Sequence, residues 1–327
     1  MRGERCGSLL RLFLHGCLAG TLLLAGCAHQ AGLGTPPLPA DEPRILLAET
    51  PFFPQSTHQC GPAALATLLV NAGKETSPAE LAEEIYLPER RGSLQVELLG
   101  ATRRAGLLPY PIAPSREALI AELRAGRPVL VLQNLGLRAL PVWHYSVVIG
   151  YEPGRDRLIL RSGKKPEKAI PTKRFIASWR RASSWGLVVL RPGELPAQPD
   201  PERYLEAVAA LEAVGRYEAA LAAYRAALTR WPNDARALLG VGNALYGLGD
   251  LQGAAHAYRR LVAEAPNNPV GYNNLAQVLA EQGHRAEAPR LLAQGLALAT
   301  EELVLRDLLR QTQHELLRDE EYQSSRK

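Results

Sequence analysis

Phe53-Pro54-Gln55-Ser56-Thr57-His58-Gln59-Cys60-Gly61-Pro62-Ala63-Ala64-Leu65-Ala66-Thr67-Leu68-Leu69 reads as a loop that turns into a helix at its cysteine. Everything after Pro62 is helical in pattern, and proline suits a first helical turn because its missing N–H would have no partner there anyway. Cys60 therefore stands at the helix N-terminus, over the positive end of the macrodipole. A thiol so placed is expected to titrate below its free value of about 8.5, as the thiolate that attacks carbonyl carbon. Gln55, five residues upstream, can fold its carboxamide toward the same point and donate to a developing oxyanion. The competing reading is a tight Gly61-Pro62 turn into a core helix, with Cys60 as buried filler.

Working outward, residues 127–134 (Arg-Pro-Val-Leu-Val-Leu-Gln-Asn) read as a buried strand and residues 143–151 (Trp-His-Tyr-Ser-Val-Val-Ile-Gly-Tyr) as a second. Residues 152–156 form a Pro-Gly turn and residues 157–163 a third strand. His144 opens the second strand and is expected at the edge of a small antiparallel sheet. Between cysteine and histidine, Ser77-Pro78-Ala79-Glu80 has the form of a capping box with proline at the first helical position, and residues 93–99 supply another helix. A thiol and an imidazole carried on separate elements are what a cysteine hydrolase must bring together.

Gln55, Cys60-Gly61-Pro62-Ala63-Ala64-Leu65 and His144-Tyr145-Ser146-Val147-Val148-Ile149-Gly150-Tyr151 resemble the bacteriocin-processing (double-glycine) cysteine peptidases, a papain-like group. The resemblance spans roughly residues 45–192 and implies an α+β papain-like domain with Cys60 as nucleophile, His144 as general base and acid, and Gln55 rather than Gln59 as oxyanion donor. The chain departs from that family where an acid should orient the imidazole: the third strand ends Arg161-Ser162-Gly163, without a carboxylate. Ser162 at that strand end and Asn134 on the neighbouring strand are the candidate orienters, while Asp156 falls in the turn. The 327 residues contain no Gly-x-x-x-x-Gly-Lys-Ser/Thr loop and no second long apolar run, so the membrane-spanning exporter form of the family is not expected.

At the N-terminus, Arg2, Arg5 and Arg11 precede an apolar stretch, residues 12–25, that ends in Leu24-Ala25-Gly26-Cys27. The stretch is too short to span a bilayer and reads as a secretory signal. It resembles a bacterial lipobox, which implies residues 1–26 as a cleaved signal peptide and Cys27 as the lipidated first residue. Ala28 rather than Asp follows, which points to the outer membrane of a Gram-negative cell, facing the periplasm. Cys6 and Cys17 leave with the signal, so Cys60 is left without a disulfide partner. Residues 27–44, rich in proline, read as a tether.

A third signal is a 34-residue period: Gly215, Gly249 and Gly283; Ala220, Ala254 and Ala288; Tyr224 and Tyr258; Pro232 and Pro266. It resembles tetratricopeptide repeats, in which glycine ends the first helix, alanine lets the helix pair approach, and proline stops the second. Three repeats fit residues 201–302, the third degenerate with Leu292 and Thr300 in place of the aromatic and the proline. Residues 303–327 read as a capping helix and tail, and residues 193–200 as a linker marked by Pro196 and Pro199.

Composition narrows the classes. The net charge is +5, but the first 26 residues hold three arginines and one glutamate, so it falls to +3 without them, too little for a nucleic-acid groove. His58, Cys60 and His144 lack zinc-ligand spacing, His256 and His284 are expected to face solvent, and neither metal nor cofactor is expected. The expected function is that of a membrane-anchored cysteine peptidase of the cell envelope, its repeats recruiting a protein partner or peptide substrate. The alternative is a degenerate peptidase-like scaffold that binds peptides without cleaving them.

Overall fold

The computed structural model describes residues 42–55, 59–299 and 303–324. The signal peptide, Cys27, most of the tether, His58 and Thr300 lie outside the described residues. The described residues from Pro43 onward form one compact unit, in which no helix is long and apolar enough to cross a membrane.

The chain runs from β1 (Ile45–Leu46) into α1 (Cys60–Asn71), α2 (Pro78–Ile85) and α3 (Gln95–Arg104). It continues through β2 (Leu108–Pro111), α4 (Arg116–Arg124), β3 (Val129–Asn134), β4 (Trp143–Glu152), β5 (Arg157–Ser162), β6 (Lys165–Pro171), α5 (Thr172–Arg180) and β7 (Gly186–Leu190). The strands make an antiparallel sheet in the order β2-β7-β3-β4-β5-β6, with β1 added to β4 beyond a bulge between Val148 and Gly150. The expected position of His144 is thereby corrected. Its strand is flanked by β3 and β5 and is central in a sheet that β7 and β2 widen on one side and β6 on the other, β2 and β6 carrying no strong strand signal.

Helix α1 is apolar all round and is buried from Gly61 to Leu69, as an inner helix must be. Its Leu65, Leu68 and Leu69 pack with Leu81 and Ile85 of α2, Leu98 of α3 and the Leu130, Leu132, Tyr145, Val147 and Ile149 face of the sheet. Strand alternation sends Gln133 and Ser146 to the other face. There Ser146 Oγ donates to Gln133 Oε1 at 2.8 Å and Gln133 Nε2 donates to Ser178 Oγ of α5 at 2.7 Å. The Ser77–Glu80 capping box forms at the start of α2, with Pro78 in the first turn.

Helices α6 (Pro201–Glu212), α7 (Tyr217–Arg230), α8 (Ala235–Gly247), α9 (Leu251–Glu264), α10 (Pro269–Glu281) and α11 (Ala288–Leu298) follow as three pairs, closed by α12 (Leu303–Ser324). Gly215, Gly249 and Gly283 end the first helix of each pair with φ of +74°, +79° and +87°, the left-handed conformation that stops a helix cheaply only at glycine. Ala220, Ala254 and Ala288 are fully buried where the paired helices meet, and Tyr224 lies so close to Gly240 that a Cβ there would stand 2.2 Å from the ring. His256 and His284 are exposed, as expected.

The segment between the two regions is pinned rather than loose. The backbone N–H of Ala197 donates to Glu122 Oε1 at 2.8 Å, and Arg127 donates to the other oxygen of the same buried carboxylate at 2.6 Å. Tyr204 of α6 donates to the Glu194 carbonyl at 2.9 Å, and its ring lies 6.3 Å from that of Tyr110 of β2, tilted by 50°.

Candidate functional site

The β4–β5 ladder ends at the pair Val147↔Arg161, two residues short of Tyr145. The main chain of Tyr145 is met there by two of the residues picked out from sequence. Gln55 Nε2 donates to the Tyr145 carbonyl at 3.2 Å, and the Tyr145 N–H faces the Cys60 sulfur together with the N–H groups of Cys60 and Gly61 at the start of α1. Gln55 is fixed at its other end as well: its Oε1 accepts from the Gly163 N–H at 2.8 Å, and its own N–H donates to the Gly163 carbonyl at 2.9 Å. Gln59 is exposed.

His144, the residue before Tyr145, has Nε2 2.9 Å from Ser162 Oγ at the end of β5. Of the candidate orienters, Ser162 is thus the one beside the imidazole. Asn134 is used otherwise, its Oδ1 accepting from Gly136 and Val142 N–H and its Nδ2 donating to the Leu137 carbonyl. Asp156 sits in the β4–β5 turn and accepts from the Tyr151 hydroxyl at 3.2 Å.

The electrostatics correct the expectation for Cys60. Burial pushes its thiol above the ordinary range, because desolvating the thiolate outweighs the three N–H groups that favour it. A helix N-terminus read from sequence fixes the dipole but not the apolar packing, and here the packing wins. Burial, aided by the Lys168 cation on β6, also pushes His144 down from 6.5 to about 4. Both effects favour the neutral forms of the thiol and the imidazole in the free protein.

Three contributors to the site were not legible as such. Arg161, buried near the end of a strand with an apolar centre, spends its guanidinium on backbone: Nη2 donates to the carbonyls of Ala48 and Thr50 at 2.8 and 2.7 Å, and Nη1 to that of Pro166 at 2.6 Å. It ties the segment leading to Gln55 onto the strand that carries Ser162. A lone arginine after Leu158-Ile159-Leu160 was the available signal. Ser93 takes the Tyr145 hydroxyl on its carbonyl at 3.2 Å, while its Oγ is buried without a partner beside Gly61. A Cβ on Gly61 would stand 2.8 Å from that Oγ, which is why glycine follows the cysteine. Lys168 had no sequence signal at all. Among the described residues no cluster of His, Cys, Asp and Glu is arranged to hold a metal ion.

An antiparallel sheet with a buried cysteine helix on one face, and a central strand whose Tyr145, next to the histidine, turns its N–H to the cysteine sulfur, defines the N-terminal domain as one like the C39 peptidases. Residues 47–186 match the family model described as Peptidase_C39 like family, and residues 203–269 match that of the tetratricopeptide repeat. Similar solved structures include a C39-like protein from Bacillus anthracis, at 18% identity and a TM-score of 0.39, covering 46% of this chain and 98% of that one. A double-glycine-motif protease from an AMS/PCAT transporter, solved with its leader peptide, is 20% identical with a TM-score of 0.35, over 45% of this chain and 98% of its own. On the repeat side, the type III secretion translocator chaperone SycD of Yersinia enterocolitica is 21% identical with a TM-score of 0.35, over 38% of this chain and 85% of its own.

Proposed function

We propose that the chain is a cysteine peptidase of the Gram-negative cell envelope, anchored by lipid on Cys27 to the outer membrane and facing the periplasm. In this reading Cys60 Sγ attacks the scissile carbonyl carbon while His144 takes the thiol proton. The step requires the tautomer in which Nε2–H of His144 donates to Ser162 and Nδ1 is the accepting nitrogen. Gln55 Nε2, which has a second N–H beyond the one given to Tyr145, donates to the oxyanion together with the Cys60 N–H. His144 then hands its proton to the leaving amine as the C–N bond breaks. Water, deprotonated by the same imidazole, hydrolyses the thioester and releases the acid. The observation that carries this reading is the placement of Gln55 and Cys60 on the carbonyl and the N–H of one residue, Tyr145, which follows His144 on β4.

The repeats are read as a docking module for a protein partner or for the substrate itself. A cavity of about 280 Å³ is lined by Glu212, Asn243, Tyr246, Tyr258, Asn274 and Gln277. Its side chains already exchange hydrogen bonds, Tyr258 to Asn243 at 2.8 Å and Asn274 to Asn243 at 3.2 Å, so polar groups for an extended chain are held in place.

The non-catalytic scaffold is favoured by one observation, the neutral resting pair with a serine where an acid would stand. Hydrolysis of an internally quenched peptide library by the full mature chain, against Cys60→Ala and His144→Ala, separates the two. Cleavage lost in both variants supports the peptidase; binding without cleavage in all three supports the scaffold. Incorporation of labelled palmitate, lost in Cys27→Ser, tests the anchor.

A further inference from the structure

Immediately before His144 the chain makes a loop, residues 135–142, that runs into Trp143 at the start of β4, and the large apolar side chains of this segment are turned out to solvent. Leu135, Leu137, Leu140, Val142 and Trp143 are each 50 to 73% exposed. Scattered exposed leucines are ordinary, but five apolar side chains within nine residues form a patch of the kind that marks a binding surface. The loop is built rather than slack. Asn134 holds it from inside through the three hydrogen bonds described above, and Leu135 N–H donates to the Val142 carbonyl at 2.8 Å. Leu137 N–H donates to the Leu140 carbonyl at 3.2 Å. Arg181, from the end of α5, clamps the Asn134 carbonyl with two donors at 3.1 and 2.8 Å. Gly136 is required by the closeness of the turn, since a Cβ there would stand 2.3 Å from the Leu140 carbonyl oxygen. A rigid frame of this kind holds apolar side chains in water at no benefit to the fold; it preorganises them for a ligand.

Which ligand follows from where the loop ends. Trp143 and Val142 lead directly into His144, and a general acid must stand on the side of the departing amine to protonate it. The loop contains one charge, Arg138, and no carboxylate. We propose that residues 135–143 form an apolar subsite for the substrate residues on the C-terminal, leaving-group side of the scissile bond, so that the chain selects peptides with aliphatic or aromatic side chains there. This rests on the peptidase reading above.

The test has two arms, chosen so that each reading can fail by itself. In the first, the full mature chain carrying Cys60→Ala is titrated with fluorescein-labelled decapeptides that differ only in leucine against serine at alternate positions, followed by anisotropy. The leucine peptide is expected to bind at least about tenfold more tightly, and Leu137→Ser/Leu140→Ser to remove that preference. Both side chains are on the surface, and a thermal melt of the double variant verifies its fold. Equal binding of the two peptides, or a preference untouched by the double variant, overturns the subsite. So does binding of the loop to phosphatidylethanolamine and phosphatidylglycerol vesicles in place of either peptide. In the second arm the active chain cuts a peptide library, with cut sites read by mass spectrometry. Apolar residues enriched after the cut support the proposal, and enrichment confined to the residues before it overturns it. Were no peptide cut, the peptidase reading falls while the first arm still decides the apolar surface.

Discussion

Replacing Ser162 by aspartate restores a carboxylate beside the imidazole, and its effect can be worked from one distance. Ser162 Oγ is 2.9 Å from His144 Nε2, so a carboxylate oxygen reaching the same place lies within about 4 Å of the ring charge, where a pair near a protein surface interacts by about 4 kcal/mol. Burying the new carboxylate opposes part of this, and Lys168 competes for it. An opposite charge at that range ordinarily moves a titration by about 1 to 3, which takes His144 from about 4 into the range of about 5 to 7. Each tenfold change in proton affinity is about 1.4 kcal/mol. The imidazolium that must accompany a Cys60 thiolate therefore becomes at least about tenfold easier to form. Two assays follow: the His144 ring titrated by NMR in the full mature chain, and the rate of Cys60 alkylation by iodoacetamide near pH 6. Both should rise in Ser162→Asp, while Ser162→Ala, which removes one neutral hydrogen bond of about 1 kcal/mol, should move them little. A His144 titration left near 4 by the aspartate would refute the reasoning, because it would mean that position 162 does not face the imidazole in solution.

Further outcomes can be measured independently. His144 is held neutral in the fold at about 4 and titrates near 6.5 when unfolded, so only the unfolded chain gains a proton between those values. Stability is then complete above about 6.5 and falls as pH drops toward 4, by about 3 kcal/mol in the limit; a thermal melt series against pH should show a slope that His144→Asn flattens. Gln55→Glu keeps an acceptor for the Gly163 N–H but removes the donor and turns a charge on the Tyr145 carbonyl. It should lower turnover by about 10²–10³-fold, read by initial rates on a cleaved peptide. In the repeats, Gly249→Ala meets open space and costs only the left-handed backbone, about 1 to 2 kcal/mol. Gly240→Ala drives a methyl into Tyr224 and should cost about 1 to 3 kcal/mol, with displacement of that ring visible in its NMR shifts.

What was legible in the sequence was what local chemistry dictates. Pro62 and the capping box announced their helices, the Val/Leu runs announced β3, β4 and β5, and the glycines at a period of 34 announced the turns of the repeats, since only glycine is cheap at φ near +80°. The breadth of the sheet was not legible. Strand β2 is Leu-Pro-Tyr-Pro and β6 begins Lys-Pro-Glu-Lys, both rich in residues that strands disfavour, and only their neighbours make them strands. The same limit applies at the site. Cys60, His144, Gln55 and Ser162 could be named because each carries a reactive or polar group in a recognisable context. That Gln55 and Cys60 meet the carbonyl and the N–H of Tyr145 depends on where the β4–β5 ladder stops. The direction in which Cys60 titrates depends on how deeply its thiol is buried, and neither fact has a one-dimensional trace.

The central claim is that Cys60 forms a covalent acyl intermediate with peptide. Acid quenching of the full mature chain during turnover of a peptide library, followed by mass spectrometry of the Cys60 segment, tests it most directly. The expected result is a thioester adduct on Cys60 that is strongly diminished in His144→Ala and absent in Cys60→Ala. An unmodified Cys60 under conditions where peptide is bound and recovered intact would contradict it.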